Sequence, residues 1–167
     1  MDLFEKYRAL HIDGSLISLA SAEMEQPYFC YPQNAKTIGF EGCILYCFLP
    51  EYPGMVFAAN PESCADTYVY PLAASFADFM RLILACGSAN PVEQIAWMDQ
   101  AQFEQHLKRE KEAQTLEQQA LLSFLARALE LTPMAHPFEY VKALQADFDG
   151  SKIQYRDAYY DVLGIPR

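Results

Sequence analysis

The chain predicts an α+β fold, and three observations carry that prediction. Apolar and aromatic runs at Cys43–Leu49, Met55–Ala59 and Thr67–Tyr70 follow one another at turn-sized intervals, the pattern of short strands paired mostly antiparallel in one central sheet. A helix start, Tyr70-Pro71-Leu72-Ala73-Ala74-Ser75-Phe76-Ala77-Asp78-Phe79-Met80, comes directly after them. Beyond Gly87 the apolar spacing is helical nearly to the end, which gives a helical C-terminal extension. At 167 residues the chain is expected to be a single domain, 1–167, with the sheet-bearing core over about 1–90 and the extension over about 91–167.

The elements follow in order. Leu3, Phe4, Tyr7 and Leu10 lie on one helical face, and Asp2 stands where an N-cap belongs. His11-Ile12-Asp13-Gly14 breaks that helix. From Ser15 to Met24 the pattern fits a short strand or a helical turn equally well. The stretch 26–35, with Pro27, Pro32 and Asn34, reads as a loop or an edge strand. The sheet opens near Thr37-Ile38-Gly39-Phe40 and turns at Glu41-Gly42. Cys43–Leu49 is apolar on both faces, so it predicts a central, covered strand. Pro50-Glu51-Tyr52-Pro53-Gly54 and Asn60-Pro61-Glu62-Ser63 are turns.

Ser75 with Asp78 three residues on predicts an N-cap, and Phe76, Phe79, Met80, Ile83 and Leu84 form an apolar stripe ending at Gly87. Further helices are expected over 91–97, 99–112, 116–131 and 137–148, with Pro133 and Pro137 separating the last two. Asp149-Gly150-Ser151 is a turn, and 152–165 predicts a short strand and a helical turn.

Charge is the second lead. The net charge is −10, from 22 acidic and 12 basic residues. Between Lys36 and Arg81 there is no Lys, Arg or His, yet Glu41, Glu51, Glu62, Asp66 and Asp78 all lie there. Such a chain repels phosphate backbones, which excludes nucleic acid as the expected partner and favours a basic protein. Asp78 belongs to the helix cap. The expected partner-binding residues are therefore Glu41, Glu51, Glu62 and Asp66, at turns from alternate ends of the strands, with Tyr52 as an aromatic anchor.

Little else carries chemistry. Phosphate-binding glycine loops, a nucleophile elbow, a metalloprotease His pair and a calcium loop are all missing. The five cysteines, Cys30, Cys43, Cys47, Cys64 and Cys86, form neither a Cys-x-x-Cys motif nor a zinc spacing, and are expected to be reduced and mostly buried. His11, His106 and His136 are the only histidines; His106 reads as solvated and His136 as covering a helix start. No catalytic residue, metal or cofactor is expected. The acidic opening Met1-Asp2-Leu3-Phe4-Glu5 has no apolar leader region, and no apolar run spans a bilayer. The expected location is cytoplasmic, with no membrane association.

The segment Pro71-Leu72-Ala73-x-Ser75-Phe76-x-x-Phe79, placed after strands, resembles the closing part of the SUKH superfamily, which holds cell-wall-assembly regulators and bacterial immunity proteins. The likeness covers about residues 43–87. It implies a twisted, mostly antiparallel sheet flanked by helices, with Phe76 and Phe79 packed under it. It also implies a non-catalytic role, often the neutralisation of a toxin such as a nuclease. The chain has no counterpart of that family's Leu-Pro-x-x-Tyr/Phe opening helix or Asn-Gly-Gly turn, and it adds the helical stretch after Gly87. The alternatives are a regulatory or scaffold protein of the same fold without a toxin partner, and a small ligand-binding or enzymatic domain.

Overall fold

Gly42 occupies the left-handed region at φ +55°, which a side chain would disfavour. It turns β1 (Lys36–Glu41) directly into β2 (Ile44–Phe48). β3 (Val56–Ala59) and β4 (Val69–Ala73) continue the meander, so the sheet is fully antiparallel in the order β1-β2-β3-β4. The computed structural model describes residues 1–21 and 26–167. The ambiguous stretch from Ser15 to Met24 therefore lies partly outside the described residues; its described part opens with a 3₁₀ turn at Gly14–Ile17 and ends in a bridge from Ala20 to Phe40.

The α+β class and the helical extension are present as the sequence predicts. β2 is central and covered on both sides. Ile44 and Tyr46 face one core, and Leu45, Cys47 and Leu49 face the other, because successive side chains alternate across a strand. One element differs. The last strand runs Val69–Ala73 rather than Thr67–Tyr70, so Pro71 belongs to the sheet and not to the helix start. An edge position tolerates a residue without N–H, and the Pro71 carbonyl instead accepts from Gln145 Nε2 at 3.0 Å.

The first core lies under the helices. α1 (Leu3–Ala9) starts at a capping box between Asp2 and Glu5. α2 (Phe76–Cys86) is capped by Ser75, whose Oγ accepts from Asp78 N at 3.1 Å, and ends at Gly87. The Asp78 carboxylate does not complete the box; it accepts from Tyr140 Oη at 2.7 Å and pairs with Arg81 at 3.5 Å. α3 (Ala89–Gln94), α4 (Gln100–Glu112), α5 (Leu116–Ala128) and α6 (Pro137–Ala146) follow. Val92, Ile95, Phe103, Leu125 and Val141 from these helices enter the same core as Phe4, Phe76 and Phe79. The extension is thus built into the core rather than appended to it.

The second face of the sheet is covered by loop and tail. Phe148, Ile153, Tyr155 and Tyr159 pack with Phe29 and Tyr31 over Phe57 and Cys47. A bridge from Pro32 to Tyr155 ties the two segments together, and α7 (Asp157–Leu163) closes the chain. No helix among the described residues is long and apolar enough to cross a membrane.

Candidate functional site

Antiparallel order sorts the five sequence-derived residues into two groups. The β1–β2 turn and the β3–β4 loop emerge at one end of the sheet, and the β2–β3 loop emerges at the other. Glu41, Glu62 and Asp66 therefore share one end, with Glu51 and Tyr52 opposite.

At the first end, Glu41, Gly42, Cys43, Ile44, Asn60, Glu62 and Gln94 line a cleft of about 490 Å³. The loop that forms its far wall is held by side-chain bonds. Asn60 Oδ1 accepts from Glu62 N at 2.9 Å, and Ser63 Oγ donates to the Thr67 carbonyl at 2.7 Å and accepts from Ala65 N at 3.1 Å. Asx and Ser turns of this kind fix a loop without a ladder. Glu62 and Asp66 are thereby displayed, exposed, on an ordered loop.

Glu41 is different: it is half-buried. Its Oε1 accepts from Tyr46 Oη at 3.1 Å and its Oε2 from Asn90 Nδ2 at 2.9 Å. Asn90 Oδ1 in turn accepts from His106 Nε2 at 3.0 Å. Burial pushes the Glu41 carboxyl above its ordinary range, hydrogen bonds from Asn90 and Tyr46 oppose the shift, and the nearby Glu93 carboxylate adds like-charge repulsion.

Glu93 stands behind the cleft and is 1 % exposed. Its Oε1 accepts from Tyr70 Oη and from Asn60 Nδ2 at 3.1 Å, and its Oε2 accepts from Gln94 Nε2. Burial, with Glu93 beside it, pushes the Tyr70 hydroxyl far up, so it stays a proton donor. Asn60 bonds both the buried Glu93 and the exposed Glu62 backbone, and so joins the two layers. Neither Glu41, Glu93, Glu62 nor Asp66 forms an ion pair among the described residues. Two carboxylates below the surface, held by neutral donors, with Glu62 on the cleft wall and Asp66 exposed further along the same loop, make an electronegative site that attracts a cation.

The opposite end uses its residues internally. Tyr52 Oη donates to the Asp149 carbonyl at 2.7 Å and accepts from Lys152 N at 3.1 Å, while its ring lies 5.0 Å from Phe148. It pins the tail to the sheet. Glu51 is half-buried beside it, with Oε2 lacking a hydrogen-bond partner among the described residues. The structure brings together neither of them with Glu41.

Sequence reasoning missed Glu93, Asn60, Asn90 and His106. His106, read as solvated, is half-buried on Asn90. The available signal for Glu93 was indirect: Tyr70, in a buried strand, needs an acceptor that its own strand does not supply. His136 occupies an N-cap position without a side-chain cap bond. Burial pushes the Cys30, Cys47 and Cys86 thiols up to about 12, which keeps them protonated and inert. No group of His, Cys, Asp and Glu among the described residues could hold a metal ion. No family model, curated protein or solved structure matches the chain.

Proposed function

We propose that the chain is a non-catalytic, immunity-type binding protein that receives a basic protein partner, such as a toxin nuclease, at the Glu41–Glu62–Asp66 end. One observation carries the reading: Glu41 and Glu93 lie at and behind the cleft with no ion-pair partner among the described residues, Glu62 lines it, and the exposed Asp66 follows on the same loop. A Lys or Arg side chain entering the cleft meets carboxylates in a partly desolvated setting, where an ion pair is stronger than at an open surface. Exposed acids at the rim speed the encounter by steering. The likeness of the Pro71–Phe79 segment to the SUKH superfamily supports the same reading, and Tyr52, with its hydroxyl engaged, drops out of the contact surface.

The test is capture from native-cell extract on the immobilised protein at about 20 mM and at about 500 mM salt, a range over which screening removes surface attraction. The expected catch is a basic protein retained only at low salt by the wild type and lost from E62K/D66K. Retention that ignores both salt and the charge reversals would refute the proposal.

A further inference from the structure

A second cleft lies at the other end of β1, beyond the acidic site and independent of the reading above. It measures about 810 Å³ and opens between α1 and the strand. Its walls carry Arg8, His11 and Lys36, and its floor is made by Phe4, Leu19 and Ile38. Only three bases precede Arg81 in the whole chain, and two of them meet here.

The geometry is specific. Lys36 Nζ lies 5.1 Å and Arg8 Cζ 5.9 Å from the centre of the same Phe4 ring. Two cations approach one aromatic ring, and neither has a carboxylate partner among the described residues. The ring attracts each of them weakly, which leaves two like charges on one cleft uncompensated, a state that an anion in the cleft relieves. Glu5 also lines the cleft, its carboxylate accepting from Asp2 N at 2.9 Å in the α1 capping box, and it makes no ion pair with either cation. His11 adds a second ring at the rim, held at φ +49°, a backbone state that costs energy in a residue with a side chain. Gly39 allows the close packing that forms the floor: a Cβ there would stand 2.8 Å from Leu19 Cα.

From this we infer that the cleft binds an amphipathic organic anion, a carboxylate or phosphate head between Arg8 and Lys36 with an apolar body over Phe4, Leu19 and Ile38. The size fits: ligand sites run to about 300–1,000 Å³, and here polar and apolar lining are mixed, as an amphipathic ligand needs. Phosphate and carboxylate heads share one chemistry here, bidentate for Arg8 and a point charge for Lys36.

The test uses octanoate, octanol and inorganic phosphate as probes on the full chain labelled with ¹⁵N. Octanoate is expected to give saturable amide shifts at 8–12 and 36–39. R8Q/K36Q should weaken that binding by about tenfold or more, the loss of one to two charge-assisted contacts, while K108Q leaves it unchanged. Octanol and phosphate, each lacking one half of the ligand, should bind far more weakly. Each variant's amide spectrum away from the cleft reports whether it is folded, and the single variants R8Q and K36Q replace a double variant that is not. No saturable shift with octanoate, shifts gathered at exposed Leu116 and Phe124 instead, or octanol binding as tightly as octanoate would overturn the inference.

Discussion

The two ends of β1 solve opposite electrostatic problems by different means. At Glu41 the carboxylate is drawn below the surface and satisfied by neutral donors, Tyr46 and Asn90. At Lys36, five residues and roughly 16 Å away along the strand, the cation stays exposed and rests on the Phe4 and Phe48 rings. The acidic end is a polar network continuous with the core; the basic end is a set of side chains laid on an aromatic face. Changes to the buried Glu41–Glu93 network should therefore reach stability, changes to the exposed Glu62 and Asp66 only binding, and changes at the basic end binding alone.

The sharpest way to break that contrast is Glu93→Ala. It orphans Tyr70 Oη and Asn60 Nδ2 in the core and should destabilise by about 3 kcal/mol. That is a melting-point drop of about 6–12 °C, read by calorimetry. A loss below about 1 kcal/mol would mean that the network is not structural. Next comes E62K/D66K, which should slow association with a captured basic partner by about tenfold or more at low salt while the melting point holds. Stopped-flow rates across a salt series decide it.

Tyr52→Phe removes the bonds to Asp149 and Lys152 and should cost about 1 kcal/mol in denaturant unfolding. Partner capture should be untouched, since the hydroxyl serves the tail. A lost partner with unchanged stability would restore Tyr52 as an anchor.

Glu41→Gln carries the smallest effect and a definite sign. The folded protein holds the Glu41 proton more tightly than the unfolded chain does, so stability falls as pH rises from the ordinary value of 4.5 through the raised one. The deficit then persists to neutral pH. Glutamine removes the buried charge and should raise stability at pH 7, with a flatter profile across that window. Melting curves between pH 4 and pH 7 would show it; a variant less stable than wild type throughout would mean that the carboxylate's hydrogen bonds outweigh its burial.

Local features were legible in the sequence. Asp2, Ser75 and Gly87 mark helix ends by short-range chemistry, and the two-faced burial of β2 follows from its unbroken apolar run. The strand end at Pro71 was not, because a proline looks like a helix start until the strand is known to be at the edge. At the acidic end, Glu41, Glu62 and Asp66 were visible from the base-free stretch, and antiparallel alternation separates them from Glu51 and Tyr52. The burial of Glu41 was hidden because Asn90, which covers it, lies 49 residues away in the chain. Glu93 was hidden for the same reason: its donors Asn60 and Tyr70 belong to the sheet, 33 and 23 residues distant. Hydrophobic periodicity reports which face is inward, and it is silent about which polar atoms meet there.

The division of the molecule into an acidic and a basic end can be tested with one titration. A hexa-arginine peptide added to the ¹⁵N-labelled chain at low salt should shift the amides of 41–44 and 60–66 and leave 8–12 and 36–39 unmoved, with E62K/D66K abolishing the response. Shifts spread evenly over the other acidic surfaces, including the exposed Glu112, Glu117 and Asp161, would show that net charge alone attracts the peptide and that the cleft is not a binding site.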